Sequence, residues 1–232
     1  MRTLLSVLAL LLALPAAALD LLPTTLQLPA EGGPTELWVY NPGPGRWQGQ
    51  VRVLQWEQHA DAEMLRPGDR IVASPTRLDL AAGVRQRIWL LPRQPTPVVA
   101  EQAYRIVLAP TAPGLPRYSL PLFRAQVAPA ATPRLHARIE SDASHSILRL
   151  HNTGTLHARL HDLSYVARDG RRTLLLPGLA GYLLAGGDRR WPLPGPPGTY
   201  SGGHFLARLQ DGQERILDAS TPTIAAGASG GL

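Results

Sequence analysis

The sequence predicts an all-β protein made of two immunoglobulin-like β-sandwich domains. Three observations carry that prediction. Glycine (22) and proline (23) make up about a fifth of the 232 residues, which leaves little room for long helices. Short runs of alternating apolar residues, each closed by turn residues, recur along the chain. Hydrophobic residues reach 44%, enough for packed cores.

The elements follow in order. Residues 1–18 read as a cleaved leader: Arg2 is the positive start, Leu4 to Leu14 the apolar stretch, and Ala16-Ala17-Ala18 the small cleavage positions. That stretch is too short to span about 30 Å of hydrocarbon, and no other run comes close, so no integral membrane segment is expected after cleavage. A first domain over 19–127 takes strands at Leu26–Leu28, Leu37–Tyr40, Gln50–Gln58, Thr76–Leu80, Gln86–Leu91, Ala103–Leu108 and Tyr118–Phe123. Val51 and Val53 alternate against Leu54 and Trp56, leaving the register of the third strand ambiguous around Val53. Seven such strands, with turn signals roughly every 8–12 residues, match an immunoglobulin-like sandwich. Residues 128–134 (APAATPR) lack alternation and read as a linker. A second domain over 135–220 takes strands at Leu135–Ile139, Ile147–His151, Leu156–Leu163, Thr173–Leu176, His204–Leu209 and Arg215–Leu217. Its Asn152-Thr153-Gly154 turn echoes Asn41-Pro42-Gly43. Residues 221–232 read as a frayed tail.

Composition closes off several chemistries. There is no cysteine, so disulfides, Cys-ligated zinc and cysteine nucleophiles are excluded. All 23 basic residues are arginine, which removes Schiff-base and P-loop lysine chemistry. After leader removal 22 basic residues face 17 acidic ones, a net +5. The arginines are scattered, with only Arg168, Arg171 and Arg172 clustered, and an exported chain meets no nucleic acid; no nucleic-acid partner is expected. His151, His157 and His161 could suggest a metal site, but their spacing is loose and no carboxylate pair accompanies them, so no metal is expected. Glu57 and Asp61 could pair as glycosidase carboxylates, yet Glu57 reads as an outward strand residue. No Gly-x-Ser-x-Gly elbow occurs. The sequence therefore predicts neither an enzyme nor a cofactor.

Five local patterns, in order along the mature chain, resemble the periplasmic pilus-assembly (chaperone–usher) chaperones. They are Val51–Gln58 after the Asn41 turn; Ile71–Pro75 with Leu78, Leu80, Gly83 and Gln86; Ala103-Tyr104-Arg105 leading to Ser119–Phe123; Asn152–Leu160; and Pro177–Tyr182. The likeness is nearest to the archaic, spore-coat-like pilus branch. It implies a boomerang of two sandwiches that binds pilin-like subunits lacking their last strand. The chaperone lends a strand to the client's open sheet and passes the subunit to an outer-membrane usher, with no nucleotide. An unoccupied edge of this kind also allows two idle copies to pair.

In better-known members an arginine of the first strand and a lysine of the last grip the client's terminal carboxylate; the corresponding positions here are Thr25 and Pro121. The archaic branch places an arginine after the tyrosine of the sixth strand, which carries over to Arg105 beside Tyr104. A guanidinium suits that task, since its planar fork holds a carboxylate by two hydrogen bonds and stays protonated. The alternative is an arginine covering the sandwich edge, paired with Glu101 or solvated. The stretch Pro110–Arg117, where large apolar donor residues belong, holds three prolines. Either the donor segment has moved to Tyr118, Leu120 and Leu122, or client binding is weak, or Tyr118–Phe123 is an ordinary core strand. A structural or adhesive two-domain module without clients is the competing expectation.

Overall fold

The computed structural model describes residues 18–59, 62–94, 97–127, 132–141 and 145–219. The expected leader up to residue 17, most of the linker, Asp61 and the C-terminal tail lie outside these residues. Seventeen strands and no helix occur among the described residues.

Ten strands build the first domain: β1 (Asp20–Leu22), β2 (Leu26–Leu28), β3 (Thr35–Tyr40), β4 (Trp47–His59), β5 (Ala62–Pro67), β6 (Ile71–Ser74), β7 (Arg77–Leu80), β8 (Arg85–Pro92), β9 (Gln102–Pro110) and β10 (Tyr118–Arg124). One sheet runs β1-β3-β8-β6; the other runs β2-β10-β9-β4-β5, with β7 also paired to β4. The period of two turns Leu37, Val39, Ile88 and Leu90 inward from the first sheet, against Ile106, Leu108 and Leu122 from the second, all fully buried. Each such side chain contributes about 1.5–3 kcal/mol by leaving water.

Three strands were not legible in the sequence. β1 is only three residues long, β5 is exposed along most of its length and so carries no burial pattern, and β6 is a four-residue edge. The ambiguity at Val53 has a physical cause: β4 is apolar on both faces. Val51 and Val53 face the sandwich core, whereas Trp56 and Gln58 lie buried on the opposite face, which the second domain covers.

The second domain comprises β11 (Leu135–Ser141), β12 (Ser146–Asn152), β13 (Ala158–Val166), β14 (Arg172–Leu183), β15 (Asp188–Leu193), β16 (His204–Arg208) and β17 (Glu214–Ala219). Their order, β14-β13-β16-β17-β11-β12-β15, makes one connected set in which β17 joins the two halves. Leu148, Leu150, Leu160, Leu163, Trp191 and Phe205 form its core. β14 is three times longer than Thr173–Leu176, because Pro177, Gly178 and Gly181 mask a strand that continues past them through a bulged register against β13. β15 was likewise missed, its alternation hidden by Arg189 and Arg190.

The repeated asparagine turn is a repeated structure. Asn41 is buried and donates to the Gly45 and Leu80 carbonyls while accepting from the Gly43 amide. Asn152, also buried, donates to Leu156 and Leu184 and accepts from Gly154. On the outer surface of the second domain Arg149 binds Asp188 at 2.6 Å and Glu140 at 3.2 Å, and Glu140 also pairs with Arg138 and Arg190.

Candidate functional site: an open strand edge at the domain interface

β10 lies between β9 and β2, but the two neighbours cover different lengths of it. β9 pairs with all of Tyr118–Arg124, whereas β2 runs parallel beside Leu122–Arg124 only. Residues 118–121 are therefore paired on one side alone among the described residues. Such an edge presents unpaired backbone N–H and C=O groups to an incoming strand. Tyr118 and Leu120 are half-buried against the core below this edge. The Tyr118 hydroxyl accepts from the Leu19 amide at 2.6 Å, which fixes Leu19 next to it. Beside the edge lies a groove of about 820 Å³ lined by Leu21, Leu22, Trp38, Tyr40 and Leu120, where Leu22 is 64% exposed.

The expected site residues separate into two groups. Tyr118 and Leu120 border the open edge. Tyr104 and Leu122, at 3% and 0% exposure, sit in the core of the first domain, with the Tyr104 hydroxyl donating to Gln102 at 2.8 Å. Burial raises the Tyr104 pKa. These two residues support the edge from beneath and offer no surface to a partner. Residues 111–117 form a loop with Gly114 at φ +80°, not a strand, and only Leu115 of it packs on the core. Thr25 is an exposed residue of the bend between β1 and β2.

Arg105 stands opposite Pro121 on β10 and Leu54 on β4, on the sheet face turned toward the second domain. Its guanidinium lies 3.7 Å above the Trp56 ring and 5.8 Å from the ring of Tyr182, which belongs to β14. Burial pulls its pKa down; Glu63 opposes that shift, and the like charge of Arg189 adds to it. The alternative pairing with Glu101 does not form. Glu101 instead accepts from the His157 backbone amide at 2.9 Å and meets His157 Nδ1 at 2.6 Å, both across the domain interface. The described residues thus place no carboxylate in hydrogen-bond contact with Arg105; aromatic faces hold its guanidinium, and Glu63 acts on it only through space.

The interface around it was not legible in the sequence. Trp56 and Phe123 of the first domain meet Tyr182 and Leu184 of the second in a separate small cluster. Gln58 acts as a substitute strand neighbour: its Nε2 donates to the Tyr182 carbonyl at 2.9 Å and its Oε1 accepts from the Leu184 amide at 2.8 Å. The one available signal was the two-faced apolar pattern of QVRVLQWEQ. The other sequence candidates disperse. His151 lies on β12, His161 on β13, and His157 in the interface; Glu57 pairs with Arg66 at 3.2 Å, and Asp61 is outside the described residues.

No protein-family model matches the chain, and no curated protein matches it. Solved structures do. A chain of the CsuC–CsuE chaperone–tip adhesion subunit pre-assembly complex, from archaic chaperone–usher Csu pili of Acinetobacter baumannii, superimposes with a TM-score of 0.73 at 21% identity, covering 88% of this chain and all of that one. The CupB2 chaperone of Pseudomonas aeruginosa gives 0.57 at 12% identity over 85% and 97% of the two chains. The Escherichia coli chaperone DraB gives 0.56 at 15% identity over 89% and 97%. The chain has the two-domain, immunoglobulin-like β-sandwich fold of the pilus chaperones.

Proposed function

We propose that this protein is a periplasmic chaperone that keeps pilin-like subunits soluble by donor-strand complementation and delivers them to an outer-membrane usher. The observation that carries the reading is the unpaired stretch 118–121 of β10, which ends in register with Arg105. A client strand laid along it, parallel to β10, stops where β2 begins, so its last residue arrives beside a guanidinium with no carboxylate of its own. Tyr118 and Leu120 supply the apolar contacts, and Arg105 anchors the terminal carboxylate by charge-assisted hydrogen bonds. Strand donation makes and breaks no covalent bond, so the reading includes no enzymatic step. Residues 1–18 serve as the leader that brings the chain to the periplasm, 128–134 join the domains 19–127 and 135–220, and copies without a client can pair through the same edge. Several similar structures are complexes of chaperones with an adhesin or pilin, which supports this choice of client.

Co-expression with pilin-like proteins encoded beside its gene tests the proposal. A client that becomes soluble only with this chain, and is lost with Arg105→Ala while the chaperone stays folded, is the expected result. A client equally soluble alone overturns it. The short edge favours a second reading, a two-domain adhesive module; binding to polysaccharide or cell surfaces, with no affinity for alternating apolar peptides, would establish that instead.

A further inference from the structure

The interface holds a second guanidinium. Arg189, on β15 of the second domain, reaches back to the first domain and pairs with Glu63 of β5 at 2.9 Å. Its Nη1 also donates to the Tyr182 carbonyl at 3.3 Å, the same carbonyl that Gln58 holds. Room for this side chain exists because residue 181 is glycine: at φ +139° a Cβ there would fall 2.6 Å from Arg189 Nη1. Glu63 is gripped from a second side by Gln58 Nε2 at 3.2 Å.

The strand register explains why Glu63 and Arg105 share one face. Glu63 stands opposite Gln58 and Leu65 opposite Trp56, so Glu63, Gln58 and Trp56 project on the same side of the sheet. Arg105 projects on that side too, stacked on Trp56. Two arginines from different domains therefore flank one partly exposed carboxylate, and only Arg189 touches it. Arg105 senses both neighbours electrostatically, Glu63 favourably and Arg189 unfavourably. In water-accessible surroundings such an exchangeable ion pair is weak.

We propose that Glu63 is a built-in placeholder for a client's terminal carboxylate, and that Arg189 is the second cation of the anchor, freed when the client displaces Glu63 and closes onto Arg105 and Arg189 together. This rests on the strand-donation reading above. It assigns to the second domain the cationic role that a chain without lysine cannot fill with an ammonium group. It also places one carboxylate between two like charges in the empty cleft, which offsets part of their mutual repulsion and leaves a net positive charge there.

The test uses the full mature chain and a labelled twelve-residue peptide of alternating valine and threonine, with either a free C-terminal carboxylate or a C-terminal amide, followed by fluorescence anisotropy. Glu63→Gln is expected to tighten binding of the acid about fivefold, near the upper end for a partly exposed ion pair, and to leave the amide unchanged. Arg189→Gln is expected to weaken the acid by a similar factor and to abolish the gain from Glu63→Gln in the double variant. Glu63 is exposed and Arg189 half-buried, and both variants keep a hydrogen-bonding amide, so their thermal midpoints should stay within a few degrees of the parent. An acid preference that depends on Arg105 but ignores Glu63 and Arg189 overturns the placeholder alone. Equal gains for acid and amide in Glu63→Gln overturn it as well. If neither peptide binds, or acid and amide bind alike and Arg105→Ala changes nothing, the strand-donation reading fails and takes the placeholder with it.

Discussion

His157 lies flat on Phe123, with ring centroids 3.7 Å apart and planes within 5° of parallel. Phe123 is on β10, two residues beyond the unpaired stretch, and His157 belongs to the second domain. One strand thus carries the open edge at one end and the joint between the domains at the other. The joint is completed by Glu101, whose side chain is 2% exposed and meets both the ring and the backbone amide of His157.

His157→Ala removes the stacked ring and leaves the buried Glu101 carboxylate with a backbone amide alone. Leaving a buried carboxylate short of a hydrogen-bond partner, together with the lost ring packing, is strongly destabilising, and a loss of about 3 kcal/mol is expected. A fall in the urea midpoint checks this. Glu101→Gln, which keeps the shape and an acceptor, should lose less.

Gln58→Ala removes the Gln58 partner of the Leu184 amide and leaves the Tyr182 carbonyl with the longer bond from Arg189. The orphaned amide costs about 1–3 kcal/mol unless water enters. Faster hydrogen exchange at Leu184, with the core amides of the first domain unchanged, is the expected signature.

Leu120 and Leu122 share a strand and a face but should respond differently. Leu122→Ala empties a fully buried position and is expected to lower stability by about 2–5 kcal/mol. Leu120→Ala, at the half-buried rim, should alter stability far less and reduce client retention in a pull-down. Equal stability losses would place both residues in the core alone.

Glu140 sets a pH dependence. Partial burial pushes its carboxyl up, but hydrogen bonds from Arg138 and Arg149, with the charge of Arg190, hold it below the ordinary glutamate value of 4.5. A carboxyl depressed in the folded state contributes stability that is present above its unfolded value and lost as pH falls through its folded one. The stability gap between the parent and Glu140→Gln should therefore be widest near neutral pH and close from about pH 4.5 downward, as followed by thermal unfolding at successive pH values.

The sandwich class was legible because Leu37, Val39, Ile106 and Leu108 follow the period of two that a half-buried strand imposes. The same logic hid β5, which buries almost nothing, and the length of β14, interrupted by Pro177 and two glycines. Arg105 could be singled out by its place after Tyr104. Its surroundings could not, since Trp56 and Tyr182 are 126 residues apart and meet only when the second domain docks. Gln58, Glu63 and Arg189 carry no local signal either; each is an unremarkable polar residue until strand register aligns them.

β2 ends the accessible part of β10 after four residues. A ledge so narrow offers two or three main-chain bonds at about 1 kcal/mol each, so any visitor is held mostly by its side chains and its tail. On the strand-donation proposal, brief occupancy follows from this architecture: a longer rival strand needs to outcompete only a short foothold, and turnover needs no fuel.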